Sequence, residues 1–179
     1  MEEFFKVNIK GFDTDLPVLP LPSGIKIAFF NLHGNPFLTE HCGKELAKLV
    51  GDCDVILTAE SKGLQLAHVV ARELNHKFYA VARKSKKLYM QDGISVSYGS
   101  SITTGKEQEF YLSKHDADLL NGKKVAIVDD VVSTGESVAG LVQLAEKAGG
   151  KVVKKLFVLA EGSAKDRDDV EFLAHIPLL

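Results

Sequence analysis

The densest chemistry in the chain lies in one stretch, Val125-Ala126-Ile127-Val128-Asp129-Asp130-Val131-Val132-Ser133-Thr134-Gly135-Glu136-Ser137. Apolar residues, then two acids, then a small hydroxyl- and glycine-containing turn predict a buried strand that ends in Asp129 and Asp130 and feeds a helix. Ser133, Thr134, Gly135 and Ser137 offer amides and hydroxyls at that helix N-terminus, an anion site by geometry and by the helix dipole. Each hydrogen bond to a charged oxygen contributes about 1.5–3 kcal/mol. A few amides therefore hold a phosphate monoester without a cation, and Val131 to Ser137 contains none. Ionised Asp129 and Asp130 only accept hydrogen bonds, which suits a vicinal diol, directly or through a hydrated Mg²⁺. Diol beside phosphate describes a ribose 5-phosphate. The plainer alternative, that the acids end a strand and Ser-Thr-Gly caps a helix, stays open for either half alone.

Two more clusters follow predicted strands. In Ala59-Glu60-Ser61-Lys62-Gly63, Lys62 stands at a strand end before a helix N-terminus, a place for an anion contact as well as for an ordinary solvated lysine. Arg83-Lys84-Ser85-Lys86-Lys87 is the densest basic run in the chain, either a second anion site or a solvated loop. Other motifs fail. Between Gly99 and Lys106 the glycine spacing is one residue too long for a Walker A loop, and Glu107 follows the lysine. The histidines (33, 41, 68, 76, 115 and 175) have no metal-ligand spacing, and Ser133 and Ser137 lack a G-x-S-x-G elbow. No metal held by protein ligands alone is expected.

These residues need a frame. Asn35-Pro36 predicts a capped helix start, with Leu38, Cys42, Leu46, Leu49 and Val50 on one face before Gly51. Asp54 to Thr58 reads as a buried strand, Leu64 to Leu74 as a helix and Lys77 to Ala82 as the next strand, a βαβ unit. The grammar repeats with a strand from Lys124 to Asp129, a loop from Val131 to Ser137, a helix to Gly149-Gly150 and a strand from Val152 to Leu159. The class expected is α/β, an open, mostly parallel sheet flanked by helices. Leu16 to Pro22 carries three of the chain's five prolines and reads as an extended cover segment, not a central strand. Arg83 to Asn121 has little helical periodicity, alternates at Ile94, Val96 and Tyr98, and holds a turn at Thr104-Gly105-Lys106. So long a connection is expected to be a lid or binding loop, or else a hairpin covering a sheet edge.

With 179 residues, 45% of them hydrophobic, one domain spanning 1–179 is expected. A net charge of −2 argues against nucleic acid or an anionic membrane as partner. The apolar runs are too short to span a bilayer, Met1-Glu2-Glu3 does not open a secretory signal, and Cys42 and Cys53 form no C-x-x-C pair. A soluble, cytoplasmic protein with reduced thiols is the expectation.

The stretch Val125 to Ser137 resembles the phosphoribosyl-diphosphate (PRPP) motif of the type I phosphoribosyltransferases, and the likeness, most similar to the adenine and purine group, runs from about Leu57 to the C-terminus. The resemblance implies that Asp129 and Asp130 hold the ribose hydroxyls beside Mg²⁺ carried by PRPP. It places the 5-phosphate at Val131, Val132, Ser133, Thr134, Gly135, Glu136 and Ser137, with the role of Glu136 open. Pyrophosphate falls to Glu60, Ser61, Lys62 and Gly63 and to Arg83, Lys84 and Lys87, with Asp129, Asp130 and Lys84 as the catalytic set. A lid over roughly 88–110 includes Tyr98. A small hood over roughly 1–35 and 160–179 brings Phe29 and Glu161 to the base.

The resemblance further implies transfer of ribose 5-phosphate from PRPP to a purine, a purine-salvage glycosyltransferase activity, by a homodimer with Mg²⁺ as cofactor. Two departures concern the base: Ser97-Tyr98-Gly99 stands where adenine enzymes often carry Glu-Tyr-Gly, and Phe29-Phe30-Asn31 where they carry Phe-Arg-Asp. Xanthine, hypoxanthine or another base is therefore an alternative. So is a PRPP- or nucleotide-sensing module without turnover, although the chain before the first helix is too short and proline-rich for a winged helix.

Overall fold

The computed structural model describes residues 3–99 and 108–179. Strands β1 (Phe4–Ile9) and β2 (Phe12–Pro20) form an antiparallel hairpin, and β3 (Lys26–Ala28) pairs with the far end of β2. The proline segment is thus a middle strand, contrary to the sequence expectation. Pairing with β1 stops at Pro17, and pairing with β3 runs from Val18 to Pro20. Each half of β2 has one paired edge, which leaves the N–H-less prolines compatible with it.

Helix α1 (Pro36–Val50) begins where the Asn35 side chain accepts from the Leu38 N–H at 3.1 Å with Pro36 in the first position, and it stops at Gly51, φ +66°. Next come β4 (Val55–Ala59), α2 (Leu64–Glu73) and a β5 of only Ala80–Ala82. Strands β6 (Ile94–Tyr98) and β7 (Gln108–Leu112) are antiparallel arms. The turn expected at Thr104-Gly105-Lys106 lies outside the described residues. Helix α3 (Lys114–Leu120) occupies part of the segment expected to be loop, started by Ser113 accepting from the Asp116 N–H at 3.1 Å. The chain continues with β8 (Lys124–Val132), α4 (Glu136–Lys147), β9 (Lys151–Glu161), a 3-10 turn at Gly162–Asp166 and β10 (Glu171–Ile176).

The central sheet has the order β10-β9-β8-β4-β5 and is parallel throughout. Side chains alternate along its strands, so Ile56, Val128 and Val158 join a core with α1, α2 and the N-terminal hairpin, while Leu57, Ile127 and Phe157 join another with α4 and the β6–β7 arms. Burial on both faces is why these strands read as unbroken apolar runs. The C-terminal segment expected in the hood forms β10, an edge strand of the central sheet that packs on the N-terminal hairpin, and Leu178 and Leu179 pair with β3.

Candidate active site

The parallel register aligns the carboxyl ends of the strands, with Leu57 level with both Ile127 and Ala80, and Val132 level with Ala160. From β4 the chain proceeds outward to β5, and from β8 it proceeds the other way to β9, so the loops after β4 and β8 diverge. That divergence opens the crevice in which doubly wound sheets bind ligands.

After β8 the turn is only Ser133-Thr134-Gly135, since the strand runs on through Val131 and Val132 and Glu136 already belongs to α4. Gly135 is the N-cap of α4 in left-handed conformation, φ +86°, and provides no side-chain cap. The N–H groups of Ser133, Thr134, Gly135 and Ser137 have no acceptor among the described residues, and only the Glu136 N–H meets Thr134 Oγ1, at 3.4 Å. A side-chain cap at position 135 would have taken the Ser137 N–H. These donors surround a cavity of about 130 Å³ lined also by Asp129, Val138, Leu141 and Phe157. The Glu136 side chain lies against Gly99 of the β6 arm: a Cβ on Gly99 would come 2.9 Å from its Oε2. It is not part of the cradle.

The acids lie inside β8 rather than at its end, and both reach the Lys62-Gly63 turn after β4. Asp129 lines the cradle and stands close to Gly63, where a Cβ would overlap Thr58 Oγ1 and come 2.7 Å from Asp129 Oδ1. Asp130 Oδ2 is 3.5 Å from Lys62 Nζ and has no hydrogen-bond partner among the described residues. Its own N–H donates to Asp129 Oδ1 at 2.9 Å. Desolvation, reinforced by the charge of Asp130, pushes the Asp129 carboxyl well above the ordinary carboxylate range, while Lys84 opposes the rise. Thr58 Oγ1 is likewise buried and unpartnered. The sequence reading missed Thr58, whose signal was a lone hydroxyl in the all-apolar strand β4.

The two basic loops are tied together by Glu60. Its carboxylate pairs with Arg83 Nε at 2.7 Å and accepts from the Lys84 N–H at 2.7 Å. This makes Glu60 a brace and neutralises Arg83, so neither behaves as the free pyrophosphate contact expected. Lys84 is exposed, and Lys87 Nζ donates to Ser85 Oγ at 2.7 Å. Lys62 turns toward the N-terminal hairpin, 5.0 Å from the centroid of the Phe29 ring and 3.4 Å from the Phe30 carbonyl oxygen. Ser61 is exposed beside it, and the Glu60–Ser61 peptide is cis. Glu161 is half-buried at the carboxyl end of β9.

Tyr98 is not an exposed lid residue. It is 6% exposed and stacked on Phe110 with ring centroids 4.1 Å apart. It crosses α4 at Gly140, where a Cβ would come 2.7 Å from both its Cβ and its Cγ. The tyrosine fastens the base of the arms to the core.

Amides without an acceptor among the described residues, beside the half-buried Asp129 and at the switch point of a parallel sheet, form a pocket that can take a sugar phosphate. Residues 31–174 match the family model "Phosphoribosyl transferase domain". The chain is 36% identical over 163 residues to the xanthine phosphoribosyltransferases of Bacillus thuringiensis (strain Al Hakam) and Bacillus cereus (strain AH187), covering 85% of this chain and 80% of each relative. Its fold resembles the adenine phosphoribosyltransferase of Thermoanaerobacter pseudethanolicus, with a TM-score of 0.73 at 23% identity over 90% of this chain and 95% of that one. The Saccharomyces cerevisiae adenine enzyme gives a TM-score of 0.69 at 25% identity over 89% and 92%. The chain belongs to the phosphoribosyltransferase family, in its type I class. Within that class it falls in the purine group.

Proposed function

We propose that the protein transfers ribose 5-phosphate from PRPP to a ring nitrogen of a purine, releasing pyrophosphate. The observation that carries this reading is the cradle of Ser133, Thr134, Gly135 and Ser137, whose amides have no acceptor among the described residues and which Asp129 borders. The 5-phosphate occupies the cradle and the ribose diol meets Asp129 and Asp130 at the mouth of the crevice. The bond from C1 to the pyrophosphate oxygen breaks with its electron pair going to pyrophosphate, and the C1–N bond forms as the purine N–H proton is lost. No protein nucleophile is needed. Catalysis consists of alignment and of charge placed where the leaving group develops it. This reading gives that charge to Lys84, whose backbone N–H donates to Glu60, and to Lys87.

Two carboxylates, one with an unpartnered oxygen, suit a hydrated Mg²⁺ that arrives with a polyphosphate better than a resident ion. Among the described residues no group of three or more His, Cys, Asp or Glu converges. When bound, the ion supplies charge neutralisation of the pyrophosphate. Its holders would be Asp129 and Asp130.

For the base, xanthine is the first candidate. The sequence relatives bear that name, and the adenine-type residues are replaced by Phe30, Asn31 and Ser97. Homodimerisation belongs to the same reading, supported by the exposed Phe37, Leu88 and Tyr89. No helix among the described residues is long and apolar enough to cross a membrane, and a cytoplasmic location is part of the proposal. Incubation with PRPP, Mg²⁺ and xanthine, hypoxanthine, guanine or adenine, with mass detection of the nucleotide, tests it. Product is expected, most from xanthine. PRPP binding without product from any base would indicate the sensing module instead.

A further inference from the structure

The cradle has an electrostatic gap. A phosphate monoester near pH 7 carries about −1.5 to −2 charge, and no cation stands between Val131 and Ser137. Lys62 is engaged with Asp130. Arg167, which follows the 3-10 turn after β9, supplies the missing charge by position. A Cβ on Gly135 would overlap Arg167 Nη1 and come 3.1 Å from its Cζ. The guanidinium therefore lies directly against the middle of the phosphate turn. Its other edge is fixed: Nε donates to Asp169 Oδ1 and Nη2 to Asp169 Oδ2, both at 2.9 Å. Lys155 Nζ adds a 2.6 Å bond to the same carboxylate. This fork leaves Nη1 as the edge turned to Gly135 and restricts the side chain before any ligand arrives.

We propose that Arg167 is a phosphate-binding residue of this enzyme, its Nη1 donating to an oxygen of the substrate's 5-phosphate from the Gly135 side of the cradle. The proposal rests on the PRPP reading above and adds to it a residue from a segment distant in sequence. It also explains the glycine: at φ +86° and with no space for a Cβ, any other residue at 135 would be strained and would displace the guanidinium.

The test is calorimetric titration of the full-length protein with ribose 5-phosphate and, separately, with Mg²⁺ and inorganic pyrophosphate. Arg167→Gln is expected to weaken ribose 5-phosphate about tenfold, the scale of one charge-assisted hydrogen bond, and to leave pyrophosphate unchanged. Arg167→Lys is expected to recover part of the loss. The salt dependence of ribose 5-phosphate binding should be shallower in Arg167→Gln than in the wild type or Arg167→Lys, a readout that a purely structural role would not move. Unchanged ribose 5-phosphate affinity in Arg167→Gln, or an equal loss for pyrophosphate, would overturn the assignment while the PRPP reading stood. Absence of ribose 5-phosphate binding by the wild type would remove both.

Discussion

At the residue scale, Asp129 links burial to binding. An unfolded aspartate releases its proton near pH 4, whereas the folded group holds it up to about 8. The folded state therefore binds more protons than the unfolded chain between those values, and stability falls as pH rises through that window. Asp129→Asn is expected to remove this slope, so that thermal melts of the empty variant gain on the wild type between pH 5 and pH 8; parallel melting curves would refute the shift. Lys84 makes a separate case. Its backbone is held by Glu60 and its ammonium has no partner among the described residues, so Lys84→Ala is expected to weaken pyrophosphate more than a nucleoside monophosphate. Equal losses measured by calorimetry would contradict a role on the leaving group. Much of this site was readable because the acids, the phosphate turn and the basic run are each local in sequence. The extent of β8 was not: the strand continues to Val132, and Val131 and Val132 were read as loop.

At the element scale, the arms β6 and β7 are anchored where the chain crosses α4. Gly140 makes that crossing possible, because the Tyr98 ring lies where any larger residue would place its side chain. Gly140→Val is expected to lower stability by about 1–3 kcal/mol through overpacking, measured by urea unfolding. An unchanged midpoint would show that the arms do not need that contact. The βαβ units were legible because their apolar periodicities are strong and their ends carry Asn35-Pro36, Gly51 and Gly149. Helix α3 was not, since it is short and buries only Leu120. Its one signal was Ser113 followed by Asp116, the pattern of a helix start. The N-terminal hairpin was hidden by its prolines, which exclude a strand paired on both edges but permit one that exchanges partners midway.

At the scale of the molecule, the parallel sheet brings four separate loops to one edge, and only the tertiary structure shows that the segment after β9 joins them. Arg167 and Asp169 could not be assigned to the phosphate turn by spacing, because their contact depends on β9 packing beside β8. The same register sets Glu161 and the Glu60 brace at that edge, so both halves of the chain meet there. The most direct measurement is a crystal structure of the protein with ribose 5-phosphate. The phosphate is expected among the Ser133, Thr134, Gly135 and Ser137 amides at ordinary hydrogen-bond distances of about 2.7–3.2 Å, with the sugar hydroxyls toward Asp129 and Asp130. A phosphate bound instead by Lys84 and Lys87, with the cradle vacant, would contradict the account.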